Sequence, residues 1–287
     1  MRRAVLVCAA WLAAVPAPAP PAPPPPTPQP AGVPPDTYAQ QLSVRLYGAA
    51  AQPDLYAARV AIHDENPAVR GAGWTGSISE SSLRHALGGG LEVSYGFLDD
   101  VKFLFDLGGF GSAAEGTFTG YGANSVVDPV LGRLSQRLHR VNRYPVFAQT
   151  LGATLLLRSF EWCRFGLTLR VGVCELAGAT ERAESSGPLG TSWTSRKLTG
   201  TAPAAFVGFE WEWLSTAAAL GLPMAGYAML GYRQLQFTSV TAGTTDSTGL
   251  SLTGDYLNDD GTRRTLDLSG PEVRIGVQFA ISYALTP

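Results

Sequence analysis

The sequence predicts an all-β chain, an eight-stranded antiparallel up-and-down barrel that crosses a membrane. Three observations carry this. Segments of roughly 10 residues alternate apolar and polar side chains, as tilted membrane strands do. The joins between them alternate short and long, and aromatic residues collect beside the short joins. The last strand shows the alternation most clearly. Val273, Ile275, Val277, Phe279, Ile281, Tyr283 and Leu285 form one face, and Arg274, Gly276, Gln278, Ala280, Ser282 and Ala284 the other. Successive side chains of a strand point to opposite faces, so this strand meets two different surroundings. A soluble sandwich would alternate in the same way, and the rest of the chain has to separate the two.

The first residues are read as processing and spacing segments. Met1, Arg2 and Arg3 precede the short apolar run "AVLVCAAWLAAV", which has the layout of a secretory signal peptide over 1–14. Residues 15–36 include "VPAPAPPAPPPPTPQPAGVPPD", a composition that forms an extended polyproline spacer and cannot pack a core. The barrel is expected over 37–287, about 250 residues, enough for one such unit. Without Arg2 and Arg3, 19 basic residues face 23 acidic ones, so nothing favours nucleic acid as a partner. No apolar run approaches the ~18 residues that a membrane-spanning helix needs.

The strands are placed in order at roughly 39–48, 83–97, 101–112, 146–158, 162–176, 203–213, 223–239 and 265–285. The first is the weakest, with Leu42, Val44 and Leu46 on one face. The second and third share a hairpin: Leu91, Val93, Tyr95 and Phe97 alternate before the turn at 98–100, and Val101, Phe103, Phe105 and Leu107 after it. The fourth sets Leu151, Ala153, Leu155 and Leu157 against Thr150, Gly152, Thr154 and Arg158. In the fifth, Phe165, Leu167, Leu169, Val171 and Val173 oppose Arg164, Gly166, Thr168, Arg170 and Gly172. The sixth sets Val207, Phe209, Trp211 and Trp213 against Phe206, Gly208, Glu210 and Glu212, and the seventh is irregular.

Joins 98–100, 159–161 and 214–222 are short, whereas 49–82, 113–145, 177–202 and 240–264 are long. Outer-membrane barrels have tight periplasmic turns and long external loops, and a sandwich has no reason for that regularity. Phe97, Phe160, Trp162, Trp211 and Trp213 fall beside the short joins, where a periplasmic aromatic girdle belongs. With these features and the C-terminal "GPEVRIGVQFAISYAL", the chain resembles the small outer-membrane β-barrels of the OmpA/OmpW-like superfamily. The resemblance implies localisation in the bacterial outer membrane, assembly by the barrel-assembly machinery and a monomer. Ten strands are the alternative, if 54–63 forms a strand with its neighbour.

The inward face is expected to carry Arg45, Arg84, Glu92, Lys102, Asp106, Arg158, Arg164, Arg170, Glu210, Glu212 and Arg274. Eight strands enclose only enough room for their own side chains, so a plug of ion pairs is the simplest expectation and a narrow ion path the sharper one. Pairing Phe97 with Val101 sets Glu92 opposite Asp106. Like charges so placed repel unless a cation intervenes, and Arg170 or Arg45 is in reach. Arg164 or Arg170 is expected to pair with Glu210 or Glu212. Leu104, Phe110, Leu156 and Phe206 also point inward and would line an apolar solute path.

Other constellations favour the bland reading. His63, His85 and His139 are scattered outside the lipid band and suit solvated loops better than a metal site. Ser81 and Ser82 lie close to His85 without a hydrolase motif. Cys163 and Cys174, eleven residues apart on one strand, are separated by roughly 35 Å and should be free thiols. In the second long loop, Asp128 caps and Pro129 begins an expected amphipathic helix. Its apolar face is Val130, Leu131, Leu134, Leu138 and Val141, and its basic face is Arg133, Arg137, Arg140 and Arg143. That helix either caps the barrel or lies at the outer leaflet with its arginines on lipopolysaccharide phosphates. The functional expectation is a structural or surface-interaction barrel working through its loops, without cofactor, metal or enzymatic activity. A narrow channel or small-solute conduit is the alternative, and a lipid-modifying enzyme the second.

Overall fold

The computed structural model describes residues 38–281 except 72, 121–126, 129–131, 134, 161, 188–189, 220–221 and 259–260. The expected signal peptide and spacer lie outside the described residues, as do Tyr283 and Leu285. In chain order the elements are β1 (Leu42–Ala51), α1 (Tyr56–Gly71), β2 (Trp74–Ile78), a 3-10 turn (Glu80–Arg84), β3 (Ala86–Gly96) and β4 (Val101–Gly120). Next come β5 (Val127–Asp128), β6 (Gly132–Arg133), β7 (Gln136–Phe160), β8 (Cys163–Leu176), β9 (Ala179–Gly187) and β10 (Gly190–Thr199). The remainder are β11 (Thr201–Ala219), β12 (Leu222–Phe237), β13 (Thr241–Asp246), β14 (Ser251–Asp255), β15 (Leu266–Asp267) and β16 (Gly270–Ala280).

Eight of these strands close a ring: β1, β3, β4, β7, β8, β11, β12 and β16 pair antiparallel in that order. The ring shuts where β16 returns to β1, with Arg45 opposite Gln278. The eight correspond in order to the eight read from the sequence. No edge is left in the ring, which is what a membrane requires, because unpaired backbone groups find no partner in lipid. The segment 54–63 is not a ninth strand: most of it lies in α1.

The sheet nevertheless holds more than eight strands, because β4 and β7 run past the ring at its long-loop end. Their ladder is unbroken from Val101↔Leu155 to Gly120↔Gln136. Beyond Val146, β7 leaves β8 and takes β9 as its neighbour, from Arg143↔Thr180 to Arg137↔Ser186. The extension continues through β10, β13 and β14 on one side and ends at β2 on the other.

This extension overturns the amphipathic helix expected at 128–143. Arg137, Arg140 and Arg143 lie on β7 and Arg133 on the two-residue β6, which pairs with β5. The apolar spacing was helical, but a strand with partners on both sides gains a full ladder of hydrogen bonds, and Gly132 weakens the helical option. The helix stands in the first long loop instead. In α1, Leu55, just before it, and Ala58 and Ile62 recur at spacings of three and four and are buried. Asn66 ties it to β2: its side-chain amide donates to Ile78 O (3.0 Å) and accepts from Ile78 N (2.9 Å).

Polarity inverts along the barrel axis. In the half nearest the short turns, the outward face is apolar, with Ile275 and Trp162 each 64 % exposed, and the inward face is charged. On β8 the apolar stripe runs from Phe165 to Val173, a height of roughly 20–23 Å for tilted strands, close to the ~25 Å lipid band of such barrels. In the other half the inside becomes an ordinary apolar core. Ile62 of α1 and Leu83 pack there in one cluster with Phe118, Phe237, Leu266 and Leu268.

Ile62 is therefore the pin of the cap. Ile62→Asp is expected to undock α1, so that added protease cuts within 54–72 while the ring keeps its strand signal in circular dichroism. Resistance equal to the parent protein would show that α1 is held by something other than this core.

Candidate functional site

The charged lumen is built from alternate residues of all eight ring strands, and it is layered. Tyr38 forms the floor. Its backbone N–H donates to Asp99 O (2.8 Å), which swings the ring of this buried tyrosine under the barrel. Lys102 Nζ lies 4.5 Å and the Arg164 guanidinium 5.3 Å from the centre of that ring. Above it, Lys102 bridges Glu210 and Glu212, and Arg164 Nη1 reaches Glu212 Oε2 (3.3 Å) and Gln41 Oε1 (3.0 Å).

Arg45 occupies the middle and is fully buried. It donates to Glu92 Oε1 (2.8 Å), Glu210 Oε1 (2.7 Å), Glu212 and Gln278 Oε1 (2.6 Å), with its guanidinium over Tyr227. Glu92 does lie opposite Asp106, as the hairpin register requires. Arg170 stands between them, 2.6 Å from Glu92 Oε2 and 3.1 Å from Asp106 Oδ2. The contact with Glu92 is charge on charge, without an N–H aimed at that oxygen. Asp106 also accepts from Arg274 Nη1 (2.7 Å) and from the Tyr47 hydroxyl (2.6 Å).

The charged roof is not among the inward residues that alternation predicts. Arg233 pairs with Glu272 at 2.5 Å, Glu272 pairs again with Arg274, and Arg233 lies 3.5 Å over the Phe110 ring. Arg233 lies on β12, where the alternation is irregular, and Glu272 near the start of β16. Tyr38 and Tyr47 carried no sequence signal beyond position. Of the inward apolar residues, Leu104, Phe110 and Phe206 are buried and Leu156 is half-buried.

Two expected lumen residues are elsewhere. Arg158 is exposed because β7 bulges between Leu156 and Arg158, which turns the side chain out of the lumen and over Phe160 at 4.9 Å. Arg84 is exposed in the 3-10 turn. The five aromatics read as a girdle cluster at the short-turn end: Phe97 touches Phe103, Phe160 stacks on Trp162, and Phe165 packs between Phe209 and Trp211. Trp213 is exposed beside them. Cys163 and Cys174 are free thiols, and among the described residues no cluster suits a metal ion.

The lumen charges nearly cancel. Arg45, Lys102, Arg164, Arg170, Arg233 and Arg274 face Glu92, Asp106, Glu210, Glu212 and Glu272, and aromatic faces take part of the surplus positive charge. Between this layer and the roof a void of about 30 Å³ touches Phe110, Phe206 and Arg233, space for a water or two. Outside the membrane band a wider cavity of about 920 Å³ opens between α1 and the extended sheet. There burial raises the Glu65 carboxyl above the ordinary glutamate value, against the opposing pull of its ion-pair partner Arg140.

A closed ring of eight strands, apolar towards its surroundings and charged within, defines a membrane-spanning β-barrel of the outer-membrane kind. Two solved structures are similar to it. The crystal structure of the outer membrane protein OprG from Pseudomonas aeruginosa is 13% identical and aligns over 85% of this chain and 97% of its own, with a TM-score of 0.36. The solid-state NMR structure of the outer membrane protein AlkL in DMPC lipid bilayers is 12% identical over 88% of this chain and 94% of its own, with a TM-score of 0.33. No protein-family model and no curated protein sequence matches the chain.

Two outcomes are expected from the site. Changing Glu210 and Glu212 together to glutamine strips Arg45 and Lys102 of their main partners, and a broken buried pair commonly costs ~3–5 kcal/mol. Urea unfolding in lipid should show a loss of that order, and an unchanged midpoint would refute the plug as a stabilising network. At the cap, Arg140→Gln removes the group that holds the Glu65 carboxyl down, so its titration should move to still higher pH in carboxyl-carbon NMR. A raised folded pKa means that Glu65 weighs against the cap as pH rises through it, and the variant should widen that window. No upward movement would contradict the pairing.

Proposed function

We propose that the chain is an integral outer-membrane barrel whose lumen is plugged by its own charged side chains, and that it acts as a structural or surface-interaction protein through its external face. The observation that carries this reading is the continuous stack of buried charged and aromatic side chains from Tyr38 to Arg233, in which the void beside Phe110 and Phe206 measures about 30 Å³. A solute path would have to pass Arg233 over Phe110, then the Arg274–Asp106–Arg170 layer, then Arg45. Each step separates ion pairs in a confined space where an unpaired charge is costly.

In this reading the short turns and both termini face the periplasm, and the extended sheet with α1 stands outside the cell. The role is non-enzymatic, the chain is a monomer, and the barrel-assembly machinery inserts it. Outer-membrane lipid surrounds the apolar band. Arg137 and Arg143, exposed on the outward face of β7, are the positions offered to lipopolysaccharide phosphates, although from a strand rather than a helix. Arg140 faces the other way and is occupied by Glu65.

Planar-bilayer recording of the refolded protein tests the proposal against the conduit alternative. The plugged barrel should give no stepwise conductance, and the Glu210→Gln, Glu212→Gln variant should give transient openings. Steady conductance from the parent protein would establish a channel in its place.

A further inference from the structure

The 920 Å³ cavity between α1 and the extended sheet has two unlike walls. Apart from Glu65, the helix offers Ala58, Val60, Ala61, Ile62 and Ala68, all apolar. The sheet and the segment before β15 offer Arg140, Arg182, Arg196 and Arg264, and the lining carboxylates are Glu65, which α1 contributes, and Glu181. Both carboxylates are already engaged. Glu65 is paired with Arg140. Glu181 accepts from the Tyr144 hydroxyl (2.7 Å), the Tyr256 hydroxyl and Arg196 Nη1 (3.2 Å).

With Arg182 paired to Glu184 (2.9 Å), three of the four arginines have carboxylate partners and Arg264 is the surplus charge. Arg264 is held in place by neutral groups, donating to Asn258 Oδ1 (2.9 Å) and to the Tyr256 hydroxyl (3.0 Å), with its guanidinium 4.9 Å over the Tyr256 ring. Among the described residues no carboxylate lies within ion-pair distance of it. Arg140 Nε is buried without a hydrogen-bond partner, and such a donor is normally satisfied. Oriented guanidiniums suit a planar or tetrahedral oxyanion, and an apolar wall opposite suits a hydrocarbon body. The volume lies within the ~300–1,000 Å³ of small-molecule sites.

We infer that this cavity binds an organic anion with an apolar body, its carboxylate, sulfonate or phosphate head on Arg264 and Arg140 and its body against α1. The inference rests on the reading that the external face is the working part of the barrel. The same chemistry occurs in a free solute and in the head of an anionic lipid, and the two are separated by the test.

Calorimetric titration with naphthalene-2-sulfonate, on the full barrel in zwitterionic nanodiscs with empty nanodiscs subtracted, reads the site directly. Saturable one-site binding is expected, with inorganic sulfate and the neutral naphthalene-2-sulfonamide each weaker by on the order of tenfold or more. Arg264→Gln should weaken the probe about tenfold. Ala68→Trp, which leaves every charge in place and fills the cavity from the exposed side of the helix, should abolish binding. If nanodiscs containing phosphatidylglycerol compete the probe away, the site stands and its natural occupant is a lipid head. No saturable binding, or equal binding by the parent and Ala68→Trp, overturns the inference. A protein that binds the probe yet conducts in the planar bilayer would keep this site and lose the plugged lumen, and a silent barrel that binds nothing would do the reverse.

Discussion

The whole lower half of this protein depends on one constraint: eight strands enclose a space too narrow for charges to be solvated individually. Every inward ionisable group must then be neutralised by another inward group. The consequence is a chain of shared partners. Arg45 serves Glu92, Glu210 and Glu212, and Arg170 serves Glu92 and Asp106, while Arg274 serves Asp106 and Glu272. Because each group has more than one partner, no strand can shift its register without separating several pairs. The same charges that look extravagant in a barrel wall fix which strand faces which.

The second consequence is the inversion of polarity along the axis. Lipid solvates the outside of the lower half, so apolar residues go out and charge goes in. Water surrounds the upper half, so Ile62, Phe118, Phe237 and Leu268 go in and the outer face of the extended sheet becomes polar. One continuous ladder, β4 with β7, passes through both regimes. The alternation of side chains is kept throughout, and only its meaning changes. The cavity beside α1 lies in the water-exposed half, where apolar and guanidinium walls meet without the crowding of the lumen.

Much of this was legible in the sequence because the ring strands obey a period of two. Glu92 against Asp106 follows from register, and face alone leaves Arg170 or Arg45 to bridge them and Arg164 or Arg170 to meet Glu210 or Glu212; the structure selects Arg170 as the bridge and the Arg164–Glu212 pair. Arg158 did not follow, since a single bulge residue moves a side chain to the other face and leaves no mark in composition. The long loops were least legible. Residues 128–143 carry an apolar spacing that suits a helix, yet pairing with β4 and β9, distant in sequence, makes 137–143 strand. The actual helix, α1, contains Pro67 and few strong periodic signals, and it forms because Leu55, Ala58 and Ile62 close an apolar core that exists only once the sheet above the membrane is assembled.

The central claim is that the lumen charges act as one coupled network rather than as independent decorations of the wall. A double-mutant cycle on Arg170 and Glu92 measures this most directly, through urea unfolding of Arg170→Met, Glu92→Gln and the pair in lipid. Removing Arg170 alone leaves two opposed carboxylates, so the second change should recover stability, giving a coupling on the order of 1 kcal/mol or more. Losses that simply add, to within a few tenths of a kcal/mol, would contradict the network.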